Sequence, residues 1–301
     1  MDVSWLWIPA TLVAAAAQTA RNTLQHRLTE TLGTLGATQV RFLYGLPFAI
    51  LFLIAVRLVE GAIIPSPTRQ FLAFVSASAV AQILATALML ATMKHRSFAL
   101  STVYVKTEPI LVAIFAVSVL GDPLSLGGAL AVLLATGGVI LMSWRGGVSA
   151  SGRDAWLPAL TGIASGACFA LASVGFRGAI LSLESGSPLL RASTTLVWSL
   201  AVQVAILLVY LLCFQRPALI GSLRVWRSSL FAGLMGALAS QFWFIGFALG
   251  AVANVRTLGL VEVLFAQVVS RRLFAQQSSG REKLGAALVI VGVAWVLLAS
   301  R

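Results

Sequence analysis

Of the nine acidic residues in this sequence, Glu108 and Glu262 alone lie well inside apolar runs. The other seven, Asp2, Glu30, Glu60, Asp122, Asp154, Glu184 and Glu282, fall in or beside expected loops. A carboxyl group removed from water can exchange a proton near neutral pH, or it can hold a cationic substrate group. It can also be locked structurally to a buried cation, and Lys106 and Arg256 are the cations at hand. Lys106 lies two positions before Glu108, so the two face different sides of one helix and each needs a partner from elsewhere. Tyr104, four positions before Glu108, shares its face. Pro109 lacks a backbone donor and should kink this helix, which makes it a candidate gating element. Gln82, Gln203, Gln241 and Gln267 are isolated amides in apolar surroundings, able to bond a substrate or a neighbouring helix. Trp243, between Phe242 and Phe244, can add an aromatic wall, although three adjacent side chains point in different directions. Gln18, Arg21, Asn22 and Gln25 recur as one helical stripe that either lines a cavity or marks a helix end entering water. Arg27 and Glu30 come soon after and favour the helix end.

Other chemistry is poorly represented. His26 and His95 have no Cys/His cluster around them, so a metal site is not expected, and nothing calls for a cofactor. Cys168 and Cys213 each sit in an apolar run, as packing residues rather than a disulfide framework. No Gly-x-Ser-x-Gly elbow or clustered acid/base set is present, which argues against an enzyme. The net charge of +12 comes from basic residues spread singly or in pairs between apolar runs. That pattern suits topogenic and lipid-headgroup contacts better than nucleic acid.

The elements that must position these groups are membrane helices. Hydrophobic residues make up 59% of the 301 and charged residues only 10%, against about 25% charged in a soluble domain. Stretches such as 129–142 and 284–298 are almost continuously apolar, which excludes the alternation of barrel strands. In hydrocarbon the backbone must then satisfy itself as helix. The expected spans are 4–25, 36–58, 71–93, 97–120, 125–144, 155–179, 187–213, 228–249, 251–275 and 282–300. The first run ends in a row of alanines, but it lacks a positive leader, so a retained first helix is expected rather than a signal peptide.

The two halves match in order. Trp7-Ile8-Pro9-Ala10 aligns with Trp156-Leu157-Pro158-Ala159, Arg41 with Arg191, Glu108 with Glu262, and Gly138-Val139 with Gly292-Val293. Such a series indicates an internal duplication, residues 1–148 and 149–301. Five helices per unit would invert the second copy, a plan common among secondary transporters. Gly162 and Gly166, Gly246 and Gly250, and Gly137 and Gly138 suit close helix packing.

The segment Ala99–Ile110, together with Leu120-Gly121-Asp122-Pro123 and Gly137-Gly138-Val139, resembles the drug/metabolite transporter superfamily, EamA type. The second half departs from the pattern, with Val261-Glu262-Val263 lacking the proline and Ala275-Gln276 in place of the Gly-acidic pair. The resemblance implies ten helices as two inverted five-helix repeats around a central cavity. It also implies a secondary transporter, expected to export a small polar organic metabolite, amino-acid-like or drug-like, by alternating access. Protons are a candidate coupling ion, and Lys106, Glu108, Arg256 and Glu262 are the candidate substrate- or proton-binding charges. The expected location is a cell membrane, multi-pass, of the bacterial inner-membrane kind. An intramembrane enzyme on lipid-linked substrates and a passive channel are the alternatives. Orientation stays open, because the loop count of Lys and Arg places the termini outside and the resemblance places them in the cytoplasm.

Overall fold

The computed structural model describes residues 4–95, 105–143, 153–265, 267 and 279–299, and it is helical throughout them apart from the turns that join the helices. Tyr104 lies outside the described residues, as do Ala275 and Gln276. The elements, numbered in chain order, are α1 Trp7–Leu43, α2 Gly45–Glu60, α3 Arg69–His95, α4 Glu108–Phe115, α5 Leu126–Ser143, α6 Arg153–Leu181, α7 Pro188–Phe214, α8 Arg216–Arg224, α9 Trp226–Leu249, α10 Val252–Leu258 and α11 Gly280–Ala299. A π-helical turn, Ala116–Leu120, prolongs α4, and a further helical turn covers 261–265.

Six helical stretches among the described residues are long and apolar enough to cross a membrane: Gly36–Glu60, Arg69–Met89, Ala159–Leu181, Pro188–Phe214, Ser229–Leu249 and Gly280–Ala299. Two shorter apolar stretches are Glu108–Leu120 and Leu126–Met142. Large apolar side chains lie exposed along these helices, Leu51, Ile54 and Leu58 on α2 among them. In water such a surface would be a liability; in lipid it is the ordinary outer face. The molecule is a multi-pass membrane protein.

Chain punctuation obeys the turn chemistry of the sequence. Gly61 and Gly121 close α2 and the π turn with φ of 62° and 66°, where a side chain would be strained. The Ser187 hydroxyl accepts from the Leu190 N–H and caps α7. Several boundaries differ from expectation. The interval 26–35, expected as a loop, is helical as far as Gly33, where φ 67° and ψ 179° break α1 in two. Leu24, Leu28 and Leu32 recur every fourth residue and pack on a cluster with Ala37, Val40 and Ala232, so burial extends the helix past its polar residues. The interval after α7, also expected as a loop, contains α8, which opens with Pro217 in its first turn and buries Leu219 and Ser222.

The described helices form two compact units. The first comprises residues 1–83 and 175–250, the second residues 84–174 and 251–301. Each unit draws on both halves of the sequence. In the first unit α9 meets the joint between α1 and α2, where a Cβ on Gly233 would fall 2.5 Å from the Tyr44 carbonyl carbon. In the second unit α5 and α11 cross glycine on glycine. A Cβ on Gly138 would lie 2.7 Å from the Gly285 oxygen, and one on Gly292 would lie 2.7 Å from the Ala135 nitrogen. Such contact maximises dispersion and permits no larger residue.

Candidate functional site: two crossed ion pairs at interrupted helices

The second unit assembles four of the charges singled out from sequence. The Arg256 guanidinium donates to Glu108 Oε1, and the Lys106 ammonium pairs with Glu262 Oε1. The pairing is crossed: each acid takes its cation from the other segment, and the Lys106–Glu108 pair that spacing disfavoured is not formed. Arg256 reaches Glu108 from the far side of the sequence. Side-chain exposure runs from 6% for Glu108 to 16% for Lys106, so both pairs are largely withdrawn from solvent. In such surroundings the Coulombic attraction is strong, and an isolated member would be severely penalised.

Both segments are interrupted where the charges stand. Before α4 the chain turns at Lys106-Thr107, and the Ile110 N–H bonds back to the Thr107 carbonyl over 3.2 Å. Pro109 occupies the first turn of α4, where no backbone donor is needed. It therefore starts a helix and does not kink one, contrary to expectation. After α10 the chain turns at Gly259-Leu260. There the Leu260 N–H bonds to Thr257 O at 3.1 Å, and the Glu262 N–H bonds to Gly259 O at 3.0 Å. These three-residue bonds tighten the backbone and re-aim the chain beyond them. Glu108 opens α4 and Glu262 lies in the turn after α10, so each acid begins a helical piece, the end that favours negative charge.

Gly166 of α6 lets a helix approach the first interruption. A Cβ there would lie 3.2 Å from Val105 O and 3.4 Å from Thr107 Oγ1. The neighbouring Ser165 hydroxyl donates to Ala85 O at 2.8 Å and ties α6 to α3. Its sequence context marks Gly166 as a packing glycine, but nothing in its spacing identifies the turn it packs against.

Gln18, Arg21, Gln25, Gln82, Gln203, Gln241 and Trp243 belong to the first unit and form separate contacts. Gln203 donates to Gln82 Oε1 at 2.6 Å, and Gln241 donates to the Ser193 hydroxyl at 2.8 Å. Trp243 is buried, donates its indole N–H to Gln18 at 2.9 Å and stacks on Phe247. Arg21 and Gln25, in the stripe whose position favoured a helix end entering water, are buried instead. Arg177 draws no attention in the sequence. It donates to the carbonyls of Phe247 and Gly250 at 2.6 and 2.5 Å and so caps α9 at its C-terminal end. Its only sequence signal is an arginine in an apolar run.

Comparison with known proteins bears on this arrangement. Residues 5–144 match the EamA-like transporter family. The EamA-like segment contains Lys106, Glu108 and Pro109, while Arg256 and Glu262 lie beyond it. The whole chain is also similar in fold to a solved crystal structure at 15% identity and a TM-score of 0.73. The similarity covers 100% of this chain and 97% of the other. At that identity the likeness speaks to fold alone. No curated protein matches the sequence.

Proposed function

We propose that this protein is a secondary transporter of the EamA type. In this reading ten helices form two inverted five-helix repeats, 1–148 and 149–301, around a central cavity. It exports a small polar organic metabolite from a bacterial inner membrane by alternating access. Supporting the transporter reading is the EamA-like match over residues 5–144. The observation that carries the mechanism is the crossed quartet at two interrupted helices. Irregular backbone at membrane depth is tolerated where it serves a polar path, and helix-end charges there bind substrate or ion.

The quartet offers a definite exchange. Two acids and two bases sum to zero, so the resting state is electrically balanced. A proton on Glu108 or Glu262 weakens its hold on Arg256 or Lys106, and the released cation can then be matched by a substrate carboxylate. Conversely, a substrate ammonium can replace a cation at either carboxylate. Tyr104, Gln82, Gln241 and Trp243 are the proposed auxiliary contacts, and Pro109, at the α4 boundary, the proposed hinge.

The test is flux into proteoliposomes under an imposed pH gradient, screened across amino acids, polyamines, sugars and cationic drugs. Saturable, gradient-driven flux of one class, lost in Glu108→Gln/Glu262→Gln while the protein stays folded, is expected. Flux that rises linearly with concentration and ignores the gradient would replace the transporter with a passive channel.

A further inference from the structure

The link between α7 and α9 is a surface element. Pro188–Phe214 and Ser229–Leu249 are each long and apolar enough to cross a membrane, so the residues that join them, α8 included, lie at a membrane face. One side of α8 packs inward. Leu219 and Ser222 are buried, and the Tyr44 hydroxyl donates to the Ser222 carbonyl at 3.1 Å. A Cβ on Gly221 would lie 3.3 Å from Leu32 Cδ2, and one on Gly36 would lie 3.6 Å from Ala218 O, so α8 rests on α1 at either side of Gly33.

The other side combines apolar and basic groups. Arg216, Ile220 and Arg224 recur every fourth residue as one exposed stripe, with Leu223 exposed beside it. At 1.5 Å per residue the two arginines stand about 12 Å apart along the helix. Arg227 follows in the first turn of α9, its guanidinium 5.4 Å from the centre of the exposed Trp226 ring. The Arg216 Nε donates to Leu212 O at 2.8 Å, which holds this guanidinium against the end of α7. Ile220, Leu223 and Trp226 favour hydrocarbon, and the three guanidinium groups favour the polar layer above it. The headgroup boundary satisfies both. Charge then selects the lipid, because residues 185–261 include no acid and the stripe with Arg227 presents three positive charges. A purely topogenic role needs only charge, whereas arginine at all three positions supplies a planar fork that fits phosphate.

We propose that α8 and the first turn of α9 form a docking surface for anionic phospholipid, with Arg216, Arg224 and Arg227 holding the headgroup phosphates. The surface goes beyond the transport reading and stands without it. Thermal unfolding of the purified full chain in neutral detergent tests it. The chain is titrated with short-chain phosphatidylglycerol, short-chain phosphatidylcholine or inorganic phosphate at matched ionic strength.

Phosphatidylglycerol should raise the Tm saturably, and phosphatidylcholine and phosphate should not. Arg216→Gln, Arg224→Gln and Arg227→Gln should each weaken that response about fivefold, and the triple variant should abolish it. Lysine at all three positions should retain part of the response, because charge survives without the fork. Arg57→Gln/Arg69→Gln/Arg281→Gln removes the same charge from other exposed positions and should respond as the wild type does. An equal loss in that control set would replace the surface with diffuse attraction and overturn the proposal. An equal rise with phosphatidylcholine would overturn it in favour of apolar contact alone, and an equal rise with phosphate in favour of a soluble anion. Should the triple variant not fold, the single variants carry the same test. A wild-type chain indifferent to phosphatidylglycerol would overturn the proposal whether or not any variant folds.

Discussion

At Glu108 and Arg256 the chemistry reduces to one question, whether the ion pair holds the protein together or holds something that moves. The two roles separate in a mutant cycle. Arg256→Met leaves a buried carboxylate without its cation and should destabilise by about 3–5 kcal/mol. Adding Glu108→Leu removes the stranded charge and should restore most of that loss, because replacing a buried pair by apolar side chains is often neutral or favourable. Flux should stay absent in both variants. Thermal unfolding and transport measured on the same preparations check this. A double variant that is stable and transports normally would show the pair to be a fastening. The acids themselves were legible in sequence, since a lone carboxylate in an apolar helix stands out. Their partners were not, because Arg256 and Glu108 are brought together by tertiary packing that no spacing along one helix encodes.

At the scale of elements, helix existence was legible and helix continuity was not. Apolar runs set α3, α5, α6, α7, α9 and α11 close to their expected limits, whereas the expected span 36–58 is divided at Tyr44 between α1 and α2. The turns at Lys106-Thr107 and Gly259-Leu260 escaped, since neither contains a breaker strong enough to end an apolar run. Pro109 pointed to the right place, but its effect depends on which turn it occupies. The adjacent glycines of α5 make the packing argument testable. A Cβ at Gly138 meets the Gly285 carbonyl at 2.7 Å, whereas one at Gly137 finds nothing within 4 Å. Gly138→Leu should therefore force α5 from α11 and cost about 1–3 kcal/mol or more, in the manner of an overpacked core. Gly137→Leu should be close to neutral in the same unfolding measurement. At the first interruption, Gly166→Ala places a methyl 3.2 Å from Val105 O, where backbone must yield by a few tenths of an ångström. Its effect should appear in flux more than in Tm, because it displaces the Lys106-Thr107 turn without opening a core.

For the whole molecule the decisive quantity is charge moved per cycle. The quartet is neutral at rest, so a conformational change that carries it bare moves no net charge. Binding one proton at Glu108 or Glu262 gives it a charge of +1, and a zwitterionic substrate adds nothing to that total. Proton entry coupled to export of such a substrate should then respond to membrane potential as well as to the pH gradient. Each elementary charge crossing 100 mV contributes about 2.3 kcal/mol. Proteoliposomes holding a potassium gradient, with valinomycin added to set the potential, measure this directly. A potential that drives positive charge along the proton path should accelerate flux at equal pH on both sides, and reversing it should slow flux. In Glu108→Gln/Glu262→Gln the amides keep the shape but cannot take the proton, so any residual exchange should lose its response to potential. A wild-type flux that tracks the pH gradient but ignores potential would require a compensating charge, a monocationic substrate being the simplest, because one proton entering against one positive charge leaving moves no net charge. Repeating the measurement with a monocationic and a zwitterionic substrate of similar size would expose it, since only the zwitterion should then be potential-sensitive.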